Sequence, residues 1–307
     1  MTMLHDRAGL QDRSGLRSHR PGANQVAALW NGAKTAGLLA GLAALFLYVG
    51  GLFGPTGTVV GAGLGLATVA GSWWFSDRLA LRAAGARPLR PREAPGLAAA
   101  VKSLAARAAI PTPSLWVIDD PQPNAFATGR NPDHAAVAVT TGLLRQLPAG
   151  EVEAVLAHEI GHIAHRDTLI VSVAAAIGTA ISALANLVMW LPFFGYHDDE
   201  DGGANPLALL GAALLAPIAA TLVQLAISRT REYDADRAAA ELIGTGRPLA
   251  NALARIDRAA AAMPMAIPRA QAAHYIVNPL AGGGINRLFA THPPVQDRIR
   301  RLLDPVR

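Results

Sequence analysis

Four long stretches of the chain carry no Asp, Glu, Lys or Arg: Thr35–Phe53, about Gly57 to Phe75, Leu169 to about Phe194, and about Pro206 to Ile227. Each is close to the ~20 residues a membrane-spanning helix needs. The pattern predicts four transmembrane helices arranged as two hairpins. Pro217 would only kink the fourth, because neighbouring helices in a bilayer can satisfy the freed carbonyl. Small residues at Gly37 with Gly41, and at Gly61 with Gly65, predict close helix packing in the first hairpin. Trp73 and Trp74 fall where an interfacial aromatic belt is expected.

Elsewhere the periodicity is that of a water-soluble domain. Leu97–Ala109 reads as a helix that ends before Pro111. Ser114–Ile118, Asn124–Thr128 and Ala135–Thr140 read as short strands, the last two joined through the polar turn Gly129–His134 as a hairpin. A further helix begins near Gly150, with Glu151 and Glu153 at its positive end.

Composition supports the membrane pattern. Residues of hydrophobic type make up 51% of the 307 and charged ones only 16%, below the ~25% of a soluble domain. The 27 Lys and Arg against 22 Asp and Glu leave a net charge of +5, and the basic residues cluster beside apolar runs. Arg78, Arg82, Arg87, Arg90 and Arg92 follow the second span, and Arg229 and Arg231 the fourth; Asp198, Asp199, Glu200 and Asp201 lie between the third and fourth. The positive-inside rule then places both termini and residues 77–168 in the cytoplasm. No nucleic-acid-binding motif with interleaved aromatics is present, so no nucleic-acid partner is expected. Cysteine is absent, which excludes disulfides and thiolate metal sites. Any metal must be held by His and carboxylates.

Such residues occur in a telling order. His158-Glu159-Ile160-Gly161-His162 places two His four apart on one helix face, where both can grip one metal ion. Glu159 can then act as general base while the metal lowers the pKa of a water. A catalytic zinc site needs a third protein ligand. The best candidate lies just past the fourth span, in Arg231-Glu232-Tyr233-Asp234-Ala235-Asp236. Glu232 would be the ligand, and Asp236, four residues on, would hold the N–H of a ligand His and fix its tautomer. The same segment also reads as the exposed start of a mixed-charge helix. Two spans separate His162 from Glu232, so the chain returns to the same membrane face and the site is topologically allowed.

His158–His162, Arg231–Asp236 and Thr291-His292-Pro293-Pro294 together resemble the HtpX-type membrane zinc metalloproteases, relatives of the CAAX prenyl proteases. Pro123–Gly129 and Val137–Leu144 resemble that family too. The resemblance covers roughly residues 120 to 300. It implies an α+β fold: a mostly helical, zincin-like metalloprotease domain with a small β-sheet, plus two transmembrane hairpins. The layout is a basic cytoplasmic tail over 1–34, hairpins over 35–76 and 169–227, and the two parts of the protease domain over 77–168 and 228–307.

The resemblance further implies one Zn2+ per chain on His158, His162 and Glu232, with Glu159 as base. It implies cleavage of polypeptides, membrane proteins among them, in quality control at the bacterial inner membrane. His292 would stabilise the oxyanion, joined by Arg298 six residues later. His292 also reads as a surface loop residue, and Arg298 as part of a solvated or lipid-facing basic run. Asn124, Ala125, Phe126 and Ala127 would lie on the edge strand along which a substrate extends, or on an ordinary sheet strand. Two rivals are a catalytically silent membrane scaffold of the same fold and a four-span transporter; the latter predicts ionisable residues inside the spans, and none is found.

Overall fold

The computed structural model describes residues 21–51, 54–90, 92–174, 229–265, 267, 272, 274–279 and 293–304. It is mostly helical with one small mixed sheet. Helices α1 (Pro21–Gly51) and α2 (Gly54–Trp74) form an antiparallel hairpin, followed by the short α3 (Ser76–Ala83). Strand β1 (Arg87–Pro88) leads to α4 (Pro95–Arg107), β2 (Ser114–Ile118), β3 (Ala125–Gly129) and β4 (Ala135–Thr140). Then come α5 (Thr141–Gln146) and α6 (Ala149–Ala164), and residues 168–174 are again helical. The remaining described helices are α7 (Arg229–Ile243), α8 (Arg247–Ala262) and α9 (Val295–Leu303).

The sheet order is β1-β2-β4-β3, with β2 and β4 parallel and β3 antiparallel to β4. Strand β3 is therefore an edge, in register Ala127 opposite Val137. Period-two alternation divides its side chains between two cores. Ala125, Ala127, Val137 and Val139 face α4, α6 and α8, while Phe126, Ala136 and Ala138 pack with Ala80, Leu81, Met265 and Tyr275. The turn after β3 relies on Gly129, whose φ of +145° and a 2.4 Å approach of His134 O to its missing Cβ both exclude a side chain.

The expected strands are present within a residue at each end, and the α4 and α6 helices lie where the pattern placed them. β1 and α5 are additions; two residues in one case and six in the other are too few for periodicity to register. Helix α1 starts at Pro21, inside the segment read as a tail, because the helix extends through polar residues that hydropathy alone leaves out. In the first hairpin, Gly61 and Gly65 do lie against α1, meeting Phe46. Gly37 and Gly41 do not: among the described residues a Cβ on either would find nothing within 4 Å, and the close approach of α1 to α2 falls at Gly50, nearer the connection between the helices.

Among the described residues, no single helix is long and apolar enough to cross a membrane. Gly54–Gly71 and Ser76–Ala83 meet that length and composition only as a pair, bent by 81°. Of the third expected span only its start is described, and the fourth span, the acidic loop, and Thr291 and His292 lie outside the described residues.

Candidate active site

Helix α6 carries His158, Glu159 and His162 into the interior because its N-terminal three turns are apolar on almost every side. Helix α7 crosses it closely at Gly161. A Cβ there would lie 3.2 Å from Ala238 Cβ and 3.3 Å from Ala235 O, so glycine lets the two backbones approach. The approach brings Glu232 beside both His. His158 Nε2 and His162 Nε2 are 3.2 Å apart, His162 Nε2 is 3.5 Å from Glu232 Oε1, and His158 Nε2 is 3.8 Å from Glu232 Oε2. Among the described residues these three form the group able to share one metal ion.

The far side of each imidazole fixes its tautomer. His158 Nδ1 is 3.0 Å from Asp236 Oδ1, and His162 Nδ1 is 3.2 Å from Asp167 Oδ2. When each Nδ1–H donates to its carboxylate, both Nε2 lone pairs point at one another and at Glu232. A cation between two lone pairs at that separation, a proton in the metal-free site or a metal ion in its place, relieves their repulsion. A tetrahedral ion with ligands at about 2.0–2.1 Å has ligand–ligand edges of about 3.3–3.4 Å, and the observed edges bracket that length. The donor set therefore fits a divalent metal.

Asp167 is a site residue that the sequence reading did not name. It arrives by a helix-terminating turn. Asp167 N donates to His162 O and Arg166 N to Ile163 O, with Arg166 left-handed at φ +59°. Glycine is the usual residue at that position, and Arg166 accepts a strain of about 1–2 kcal/mol. With no glycine to mark it, the turn has no signature in the sequence.

Arg298, on α9, has no exposed surface. Its Nε and Nη2 donate to the two oxygens of Asp236, at 2.9 and 2.7 Å; Nη1 donates to Ile276 O at 2.8 Å and lies 3.3 Å from Glu232 Oε2. One guanidinium thus braces the carboxylate behind His158, the proposed ligand Glu232, and the 274–279 segment. That segment crosses the start of the β3 edge. Ile276 N donates to Ala125 O, and the Asn124 amide donates to Val277 O. Asn124 and Phe126 are engaged in this packing, Phe126 edge-on to His274 and Tyr275. Ala127, further along β3, donates its N–H to Glu159.

Burial and charge set the protonation states of the metal-free site. Glu159 is pushed up to about 7, first by burial and then by nearby Glu232, against the attraction of His162. Burial lowers His158 to about 4, partly offset by Asp236. For His162, burial also favours the neutral ring, but the hydrogen bond it donates to Asp167 and the charge of Glu232 prevail and raise it to about 9. Burial would raise Asp236; Arg298 overrides it and holds the carboxyl at about 2.

Residues 91–306 match the family model for Peptidase family M48. The chain belongs to Peptidase family M48. It is 46% identical over 283 residues to proteins described as "Protease HtpX homolog" from Burkholderia mallei (strain SAVP1) and Burkholderia pseudomallei (strain K96243), an alignment that spans 91% of this chain and 98% of each relative. A crystal structure of S. mikatae Ste24p is similar with a TM-score of 0.49 and 22% identity, over 91% of this chain and 66% of that one. As an M48 member the chain is a metallopeptidase that acts on polypeptides.

Proposed function

We propose that this chain is a membrane-anchored zinc endopeptidase that cleaves membrane proteins, misfolded ones among them, at a centre formed by His158, His162 and Glu232. The observation that carries the proposal is the convergence of the three donors at separations close to the edge length of a metal tetrahedron, with the buried Glu159 on the same helix turn. Zinc bound there supplies Lewis acidity toward the scissile carbonyl and toward water. Glu159, with a pKa about 7 before a cation is added, takes a proton from water and returns it to the leaving amine. Asp236 and Asp167 hold the two rings in the ligating tautomer. Arg298 serves from behind, fixing Asp236 and Glu232.

His292 stands next to Pro293 at the entry to α9 and is assigned as the donor to the developing oxyanion. An extended substrate is assigned to the β3 edge beyond the Ile276 contact, around Ala127 and next to the base.

The membrane placement is supported by the surface of the first hairpin. Val59, Leu66 and Tyr48 are each about 70% exposed, an apolar exterior suited to lipid. A distance of 3.5 Å between His162 and Glu232 is also what two crossings over 169–227 would permit, with both termini and both parts of the protease domain in the cytoplasm of a bacterium and the connecting acidic loop outside. The test is cleavage in a bilayer: the protein reconstituted in vesicles with an unfolded multi-span protein should yield fragments, stop on chelation and resume with zinc. His292→Ala should lower kcat by about 10²–10³ without loss of metal. Cleavage that survives full metal removal would refute the proposal.

A further inference from the structure

We propose that the elbow between α2 and α3 is a docking surface for anionic phospholipid headgroups, gripped by Arg78, Arg82 and Arg130. The proposal rests on the membrane placement given above. At the elbow the helix direction turns by 81°, so α3 leaves the hairpin nearly at right angles to it. Three consecutive rings mark the turn, and all are solvent-exposed: Trp73, Trp74 and Phe75, with Trp74 at 52%. Amphipathic rings of this kind sit at headgroup depth.

Helix α3 has two faces. Ser76, Ala80 and Leu81 are buried, the last two against the sheet core. The opposite stripe, Phe75, Arg78, Leu79, Arg82 and Ala83, is exposed at spacings of three and four residues. It combines apolar bodies with two guanidinium groups and contains no carboxylate. Asp77, the one acid of α3, lies outside the stripe. A short helix with apolar and cationic residues on its outward face suits the plane of a membrane interface.

The protease domain supplies the third arginine. Arg130, from the turn after β3, places its Cζ 4.8 Å from the centre of the Trp74 ring and donates to Trp74 O at 3.3 Å. Arg78 lies over Phe75, with Cζ 5.8 Å from the ring centre. Arg78 and Arg130 are thereby held beside the rings, where the exposed apolar surface of α2, including Val60 and Leu64, comes to its end, and Arg82 stands one turn on along the exposed face of α3. Phosphate is the group that a fork of N–H donors binds best. A lipid with net negative charge presents it without a competing cation. This arrangement would also fix the height of the catalytic site above the bilayer.

The test uses the full chain with Trp30, Trp116 and Trp190 replaced by Phe, so that Trp73 and Trp74 report. It is reconstituted in phosphatidylcholine vesicles that contain an equal small fraction of either brominated phosphatidylglycerol or brominated phosphatidylcholine. Quenching should show a preference for the glycerol lipid of at least about fivefold, the increment expected for one arginine near the surface. The preference should fall toward unity in Arg78→Gln/Arg82→Gln and persist in Arg78→Lys/Arg82→Lys, each protein serving as its own control through the ratio of the two lipids. Equal quenching by both lipids overturns the proposal. So does absence of quenching in protein that stays with the vesicles, the result expected if a second copy or another protein covers the elbow; the membrane placement would survive both outcomes. Protein that fails to remain with vesicles at all would remove the membrane placement, and this proposal with it.

Discussion

Replacing Glu159 by Gln should make the metal-free protein more stable at alkaline pH while abolishing its activity. Glu159 is 2% exposed, and burial is the main reason its pKa rises from 4.5 to about 7. In the unfolded chain it ionises near 4.5. The folded state therefore keeps a proton that the unfolded state loses, and stability falls as pH rises from about 4.5 to about 7, then levels off. A gap of that width is worth about 3 kcal/mol. Gln has the shape of the protonated acid and does not titrate. Metal-free Glu159→Gln should match wild type at pH 4.5 and exceed it by about 3 kcal/mol at pH 8. At about 2.1 cal/mol/K of unfolding entropy per residue, that is roughly 5 °C in melting temperature for a chain of 307 residues. Added zinc should narrow the difference, because a divalent cation favours the ionised carboxylate. The assay is thermal or denaturant unfolding of chelator-treated protein across pH 4.5–8. Equal stability of the two proteins at pH 8, or greater stability of wild type, would refute the placement of a buried, charge-strained base at this position.

Other perturbations separate the supporting roles. Asp167→Asn and Asp236→Asn should each weaken metal affinity by about 10–100-fold, measured by competition with a chromophoric chelator, since both hold the Nδ1 side of a His proposed as ligand. Arg298→Met leaves Asp236 buried without its guanidinium and should cost about 3–5 kcal/mol in unfolding free energy; a loss below about 1 kcal/mol would show that the brace is not energetically coupled. Gly161→Val should push α7 away from α6 and reduce metal binding more than Ala would, because the Cβ position already lies 3.2 Å from Ala238. Alkaline-phosphatase fusions in a bacterial host should be active near Asp199 and inactive near Arg90 and Arg307; activity at Arg307 would mean an odd number of crossings.

The parts legible in the sequence are those where spacing maps directly onto geometry. The i, i+4 pair His158 and His162 had to share a helix face, and Ala135–Thr140 read as a strand paired through a polar turn. What escaped has no local signature. Asp167 reaches His162 through a left-handed Arg166, where the usual glycine is absent. The resemblance puts Arg298 beside His292 at the oxyanion, with a solvated basic run as the alternative; its pairing with Asp236 follows only from the packing of α9 against α7. Ile276 caps the β3 edge from a segment with no regular periodicity. The first hairpin shows the converse: Gly37 and Gly41 have the right spacing, yet the close contact is at Gly50, because distance from the turn decides where two helices converge.

The proposed chemistry requires that His158, His162 and Glu232 hold a metal with which Glu159 hydrolyses peptide bonds. Metal content and peptide cleavage measured on the same preparations of wild type, Glu159→Gln and Glu232→Ala test it most directly. Wild type should carry one zinc and cleave, Glu159→Gln should carry one zinc and fail to cleave, and Glu232→Ala should have lost both. Wild-type turnover in Glu159→Gln, or full metal content in Glu232→Ala, would contradict it.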